Sequence, residues 1–429
     1  MARPTQIELS RSEGALGGGH RLPPPGGVFP RWASAVSLVG LMLVFGWQLE
    51  KQRAAGWIEG PPLTGRPLRS LDLVVAEGRA HALILESSGD GEAAYRLAYL
   101  ESSDLGEHFS WPRFIDTQGE RVISSRSNPA RLLVAGSHRV VAYNVEGGVP
   151  GNGPLRIALS TDGGDHWQSG IVPVQGDPQG IESHPALAQD ALGILHLAWL
   201  DDRDESGETV GVRVARSRDG GRTWQAEVTV DAQSCTCCAL TMTALGDAGV
   251  GLLYRDHQPK DMRLARLEPG RARWTSEAVV GDYGWSFEGC PHLGGALTRR
   301  PQDSGLEALV WTGETRQHGL HLLQSEDLGV SWISDQLLDS EAFEADLARN
   351  SEDRGVLAYR QGIGRDARIV IRLSPAGTAP WSASELVSRP GVRSEAPRVL
   401  AGPKGYSVFW LESDAAGLWR LEFIHRDWT

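Results

Sequence analysis

The sequence predicts an all-β chain: a β-propeller of four-stranded antiparallel blades, seven favoured over six, after one N-terminal transmembrane helix. Three observations carry this reading. An eight-residue pattern, Ser-x-Asp-x-Gly-x-x-aromatic, returns at near-regular spacing. Around each copy, short strand-like runs follow one another in a fixed order. Gly 52 and Pro 24 in 429 residues supply the turns that many short strands need.

The pattern stands as SSDLGEHF from Ser102, STDGGDHW from Ser160, SRDGGRTW from Ser217 and SEDLGVSW from Ser325. Two worn copies are LEPGRARW ending at Trp274 and SPAGTAPW ending at Trp381. Successive copies begin 49 to 58 residues apart, which marks a repeated structural unit. Inside a copy the chemistry is local. Asp104, Asp162, Asp219 and Asp327 can accept N–H bonds within their own turn, and a glycine takes the left-handed backbone. The aromatic packs onto the sheet, which explains 15 Trp against 8 Phe. Each copy therefore reads as a self-satisfied turn between two strands.

The unit reads as HPALA (184–188), ILHLAWL (194–200), VRVAR (212–216), the turn, then AEVTV (226–230). That is four strands, the make-up of a propeller blade. The first strand returns near Leu71, Asn128, His184, Leu240, Pro291, Glu344 and Ala396. After YSVFWL (406–411) and LWRLEFI (418–424) the chain stops. The outer strand of that last blade is expected from residues 56–68, closing the ring. Residues 65–429 form one propeller domain, and 50–64 are a linker.

Residues 1–31 are rich in Gly and Pro and read as a disordered cytoplasmic tail. Trp32 to Leu49 carries no charge; as a helix it spans about 27 Å, enough for a bilayer. Arg3, Arg11, Arg21 and Arg31 precede it, so the propeller is expected outside the cytoplasm. In a bacterium this means a single-pass inner-membrane protein with its propeller in the periplasm. A signal peptide cleaved near Ala54–Ala55 is the alternative. Lys and Arg total 42 against 54 Asp and Glu, a net charge of −12, and no basic stripe is found, so nucleic acid is not an expected partner.

The eight-residue pattern resembles the Asp-box, or BNR repeat, of the sialidase-like propellers, over most of residues 65–429. The stretch from His184 through CTCC to GCPH is similar to that of bacterial membrane-anchored members. The resemblance implies a glycoside hydrolase of exo-alpha-sialidase type, with six blades, three clamping arginines, an acid/base aspartate and a tyrosine nucleophile paired with a glutamate. Carried onto this chain, it nominates Tyr254, Arg255, Asp256 and Arg203 as catalytic, with Tyr359 and Arg360 behind them. The family's Arg-Ile-Pro motif is absent, and WPRFIDT (111–117) is no match. Both tyrosines also suit ordinary strand positions. Hydrolysis is thus the alternative to a binding or assembly module.

All four cysteines fall in one region: Cys235, Cys237 and Cys238 in SCTCC, and Cys290 in GCPH. Propeller topology puts both segments in loops that lead from one blade's outer strand to the next blade's inner strand. These loops share the face opposite the repeated turns. His184, His257 and His292 are placed on the same face. Thiolates with imidazoles suit copper or zinc, so these seven residues are metal-ligand candidates. A disulfide among the cysteines, or a reactive thiol, explains them as well. The face is the expected docking surface for a protein partner or a glycan.

Overall fold

The computed structural model describes residues 67–428, apart from 88–94, 150, 207–208, 272, 290, 378–379 and 414–416. The predicted tail, transmembrane segment and linker, and Cys290, lie outside the described residues. Among those described, no helix is long and apolar enough to cross a membrane.

The described residues form 27 strands, β1 to β27 in chain order, arranged in seven antiparallel sheets. Six sheets have four strands and the last has three, β25 (Ser394–Ala401), β26 (Gly405–Ser413) and β27 (Trp419–Asp427). Each sheet is a blade. The innermost strands are β1 (Leu68–Ala76), β5 (Arg131–Ala135), β9 (Glu182–Gln189), β13 (Thr241–Ala244), β17 (Ala296–Arg299), β21 (Ala342–Arg349) and β25 (Ser394–Ala401). Each touches the next, and β25 touches β1, so the ring closes at seven blades. The six-blade alternative is excluded.

The second strand of each blade is apolar on both faces because a neighbouring blade covers each side. Leu306–Thr312 and Val250–Arg255 are buried at every residue. The apolar side chains sort into seven main clusters, one for each seam between adjacent blades. There is no single central core, since the ring axis is a channel. Side chains also stitch inner strand to inner strand. Asp72 accepts the Leu132 N–H at 2.8 Å, Asp346 accepts the Val399 N–H at 2.9 Å, and Asn128 accepts the His184 N–H at 2.8 Å.

The repeated turns join third strands to fourth strands, as expected. In the four intact copies, Ser Oγ donates to Asp Oδ1 and accepts the Gly N–H, for example Ser325 to Asp327 at 2.8 Å and Gly329 to Ser325 at 2.8 Å. The turns are closed by their own groups. One expectation is corrected. Leu68 does not extend the last blade; it pairs with Glu86 in the first. The remainder of the expected closing strand, 56–66, lies outside the described residues.

Candidate functional site

The seven inner strands surround a channel of about 440 Å³, lined by every blade. Its charged lining is mixed, with Asp72, Asp346 and Glu344 against Arg126, Arg131 and Arg398. The loops from outer to next inner strand open at one mouth of this channel. The cysteine loop is one of them. It leaves β12 (Val228–Cys235) and enters β13.

The Sγ atoms of Cys235, Cys237 and Cys238 lie within 4.8 Å of one another. Cys235 and Cys238 are free thiols, 2 % and 1 % exposed, with their sulfurs 2.9 Å apart. The hydrogen bond between them sets the two apart. Cys235 is pulled down to about 6 by the Cys238 hydrogen bond first, then, against burial, by the Cys237 N–H and the positive charges of Arg255 and Lys260. Cys238 is pushed well above the usual thiol range, mainly by burial, with the bond to Cys235 adding to it.

Arg255 is 1 % exposed and ends β14 (Val250–Arg255). Its guanidinium donates to the carbonyls of Leu293 at 3.1 Å, Lys260 at 2.5 Å and Trp311 at 3.0 Å. Three neutral acceptors leave its charge uncancelled, and it lies 5.4 Å over the Trp285 ring. Lys260 is 2 % exposed, and its ammonium has no carboxylate partner among the described residues. Two cations therefore face the cysteine pair from inside the protein.

The histidines do not join this cluster. Among the described residues, no imidazole nitrogen comes within 4.8 Å of all three sulfurs. The described sulfurs cluster without His184, His257 or His292 among them. His184, the third residue of β9, has φ 53°, and its Nδ1 lies 2.9 Å from Ser183 Oγ. Burial first, then Arg131 and His292, push it down to about 3. His292 lines the channel in the same left-handed backbone state, φ 55°. His257 is half-buried beside Asp256, which accepts its N–H at 2.7 Å.

The nominated catalytic set is also dispersed. Tyr254 is 0 % exposed within the seam between the third and fourth blades. With Arg255 equally enclosed, neither has surface to offer a substrate. Asp256 is paired with Arg263. Arg203 is held by Asp201 at 2.8 Å and Glu227 at 2.6 Å. Tyr359 is buried between the fifth and sixth blades.

Arg360 differs, because it pairs with Glu344, which lines the channel beside Arg126 and Glu395. There Arg126 lies 3.6 Å over the Trp419 ring, and Arg393 lies 5.2 Å over the same ring. Glu395 is 3.7 Å from Arg126, and Glu344 is 3.6 Å from Arg360. Burial and the like charges of Arg393 and Arg360 lower Arg126 below the ordinary arginine range, against the pull of Glu395 and Glu344. Sequence reasoning missed Arg126, Arg393 and Lys260. The first two precede inner strands, so the loop rule that located the cysteines also covers them. Lys260 had no such signal, because its burial is a tertiary fact.

No protein-family model matches the chain, and no curated protein matches it in sequence. Solved structures of similar shape include a protein of unknown function from Dyadobacter fermentans, at 12% identity and TM-score 0.47, covering 85% of this chain and 96% of that one. The NanB sialidase of Streptococcus pneumoniae matches at 11% identity and TM-score 0.47, covering 87% and 70%. The polysaccharide lyase Uly1 matches at 10% identity and TM-score 0.49, covering 85% and 90%. The propeller itself is assigned from this chain's own seven sheets, and these likenesses carry no chemistry over to it.

Proposed function

We propose that the chain is a membrane-anchored, extracytoplasmic binding module that handles a soft metal ion, copper first and zinc second, at the 235–238 loop. The observation that supports it is the meeting of two free thiols, Cys235 and Cys238, with their sulfurs 2.9 Å apart beside two buried cations. Thiolates select soft ions, and a thiolate pair is a donor set that Cu(I) accepts. A disulfide between Cys237 and Cys290 would staple adjacent blades and leave Cys235 and Cys238 as the donors.

Native mass spectrometry of the exported chain, loaded with Cu(I) and run before and after denaturation, tests this. The expected result is one added metal that is lost on unfolding, with affinity lowered at least ~100-fold in Cys235→Ser and Cys238→Ser. A chain that stays metal-free under Cu(I) and Zn(II) loading overturns the reading.

A second reading, sialidase-type glycoside hydrolysis, draws on a different observation: Arg126, Arg360 and Arg393 meet at the channel mouth with Glu344, Glu395 and Trp419. Such a cluster can hold a carboxylate. Turnover of a fluorogenic sialoside that is lost in Arg126→Ala would favour it over metal handling.

A further inference from the structure

We propose that Cys235 and Cys238 are a redox-active dithiol that passes reversibly between two thiols and an internal disulfide by exchange with a small-molecule disulfide. The two residues are three apart, across the turn at Thr236 and Cys237 that ends β12. Each sulfur is held from a different side. Cys235 is on the sheet ladder, opposite Thr209 of β11 (Thr209–Ser217). Cys238 accepts the backbone N–H of Leu293, from the loop that enters β17. Held this way the sulfurs meet at 2.9 Å, well inside ordinary non-bonded contact.

The surroundings decide which sulfur attacks. Arg255 spends its donors on three neutral carbonyls, and Lys260 has no carboxylate among the described residues. Buried charge requires a counter-charge. Asp261 is buried nearby, where burial raises it above the ordinary carboxyl range and its oxygens accept the Gly284 and Trp285 N–H groups. The Cys235 sulfur, which also accepts the Cys237 N–H, is the one these two cations face.

The exchange balances as follows. The Cys235 thiolate attacks one sulfur of the small disulfide, forming a mixed disulfide and releasing one thiolate. Cys238 passes its proton to the thiolate just released, and its sulfur attacks Cys235, releasing the second thiolate. The pair loses two electrons in all, and the small disulfide is reduced to two thiols. Burial of both sulfurs excludes a protein-sized oxidant. Ala239, the residue after Cys238, lines the channel. Closure also removes both donors from a metal ion; that consequence rests on the metal reading, whereas the redox step does not.

The test equilibrates the full chain in glutathione buffers of graded oxidation, quenches with acid, alkylates, and assigns linkages by peptide mass spectrometry. The expected result is a reversible Cys235–Cys238 link that forms as oxidised glutathione rises. Cys238→Ser should accumulate glutathione on Cys235, and Cys235→Ser should leave Cys238 at least ~10-fold slower to react. Two thiols at every ratio, or reaction of Cys238 ahead of Cys235, overturns the proposal. The wild-type titration decides even where a variant fails to fold. A pair that cycles but binds no Cu(I) supports this inference and removes the metal reading. A pair that binds Cu(I) but never closes does the reverse.

Discussion

Glu182 is a carboxyl that the fold keeps protonated. It opens β9, 1 % exposed, and its Oε2 accepts the Leu155 N–H at 2.9 Å. Burial first, then the negative charges of Asp201 and Asp177, raise it from 4.5 to about 8, against the Leu155 bond and Arg203. The folded chain thus holds a proton that the unfolded chain releases near pH 4.5. Its contribution to stability is complete below that pH and is lost as pH rises through about 8. Melting temperature measured from pH 5 to 9 should therefore carry a falling component that Glu182→Gln removes. An unchanged slope in the variant would place the proton elsewhere. His184 has the opposite sign, its lowered value costing stability as pH falls below the ordinary histidine range.

The repeated turn is the element that makes the ring. Its Asp anchors the next strand: Asp327 Oδ1 accepts the Ser331 N–H at 2.9 Å and Oδ2 accepts the Ser331 hydroxyl at 2.6 Å. Burial opposes ionisation there, but the Ser331 and Ser325 bonds outweigh it and hold Asp327 at about 2. The glycine serves the seam. Gly329 has φ +81°, and a Cβ there would come 2.1 Å from Leu264 Cδ2 in the preceding blade. Gly164 would meet Tyr99 of its own preceding blade at 2.5 Å. Gly329→Ala should cost roughly 2–4 kcal/mol, from left-handed strain plus overpacking, read as a lower denaturant midpoint. A change below about 0.5 kcal/mol would show that the seam yields at little cost.

At the scale of the molecule, the ring stands or falls on its last seam. The seventh blade meets the first through Leu68, Leu71, Phe409, Leu411 and Leu421. Phe409 stacks on Phe423 with centroids 5.6 Å apart and meets Phe109 edge-on at 6.2 Å. Ser407 adds a hydrogen bond to the Leu105 carbonyl at 2.7 Å. Phe409→Ala should cost ~3–5 kcal/mol and raise amide hydrogen exchange in both β26 (Gly405–Ser413) and β1. Faster exchange confined to β26 would mean that the seam does not carry the closure.

The sequence by itself determined the blades. A strand, a turn and an alternating apolar face are local, so the spacing of the turns and the order of the strands could be read directly. The same topology placed the cysteine loop at the channel mouth, because loop position follows from strand direction. What it left open depended on ångström distances between blades. Whether His184, His257 and His292 join the sulfurs, and whether Tyr254 and Arg255 face solvent, is set by how blades pack. A residue at a strand's end can point into the channel, as His292 does, or into a seam, as Arg255 does, with the same pattern in the chain. The tertiary structure alone decided that two cysteines touch beside two buried cations, since burial removes the water that would otherwise screen those charges.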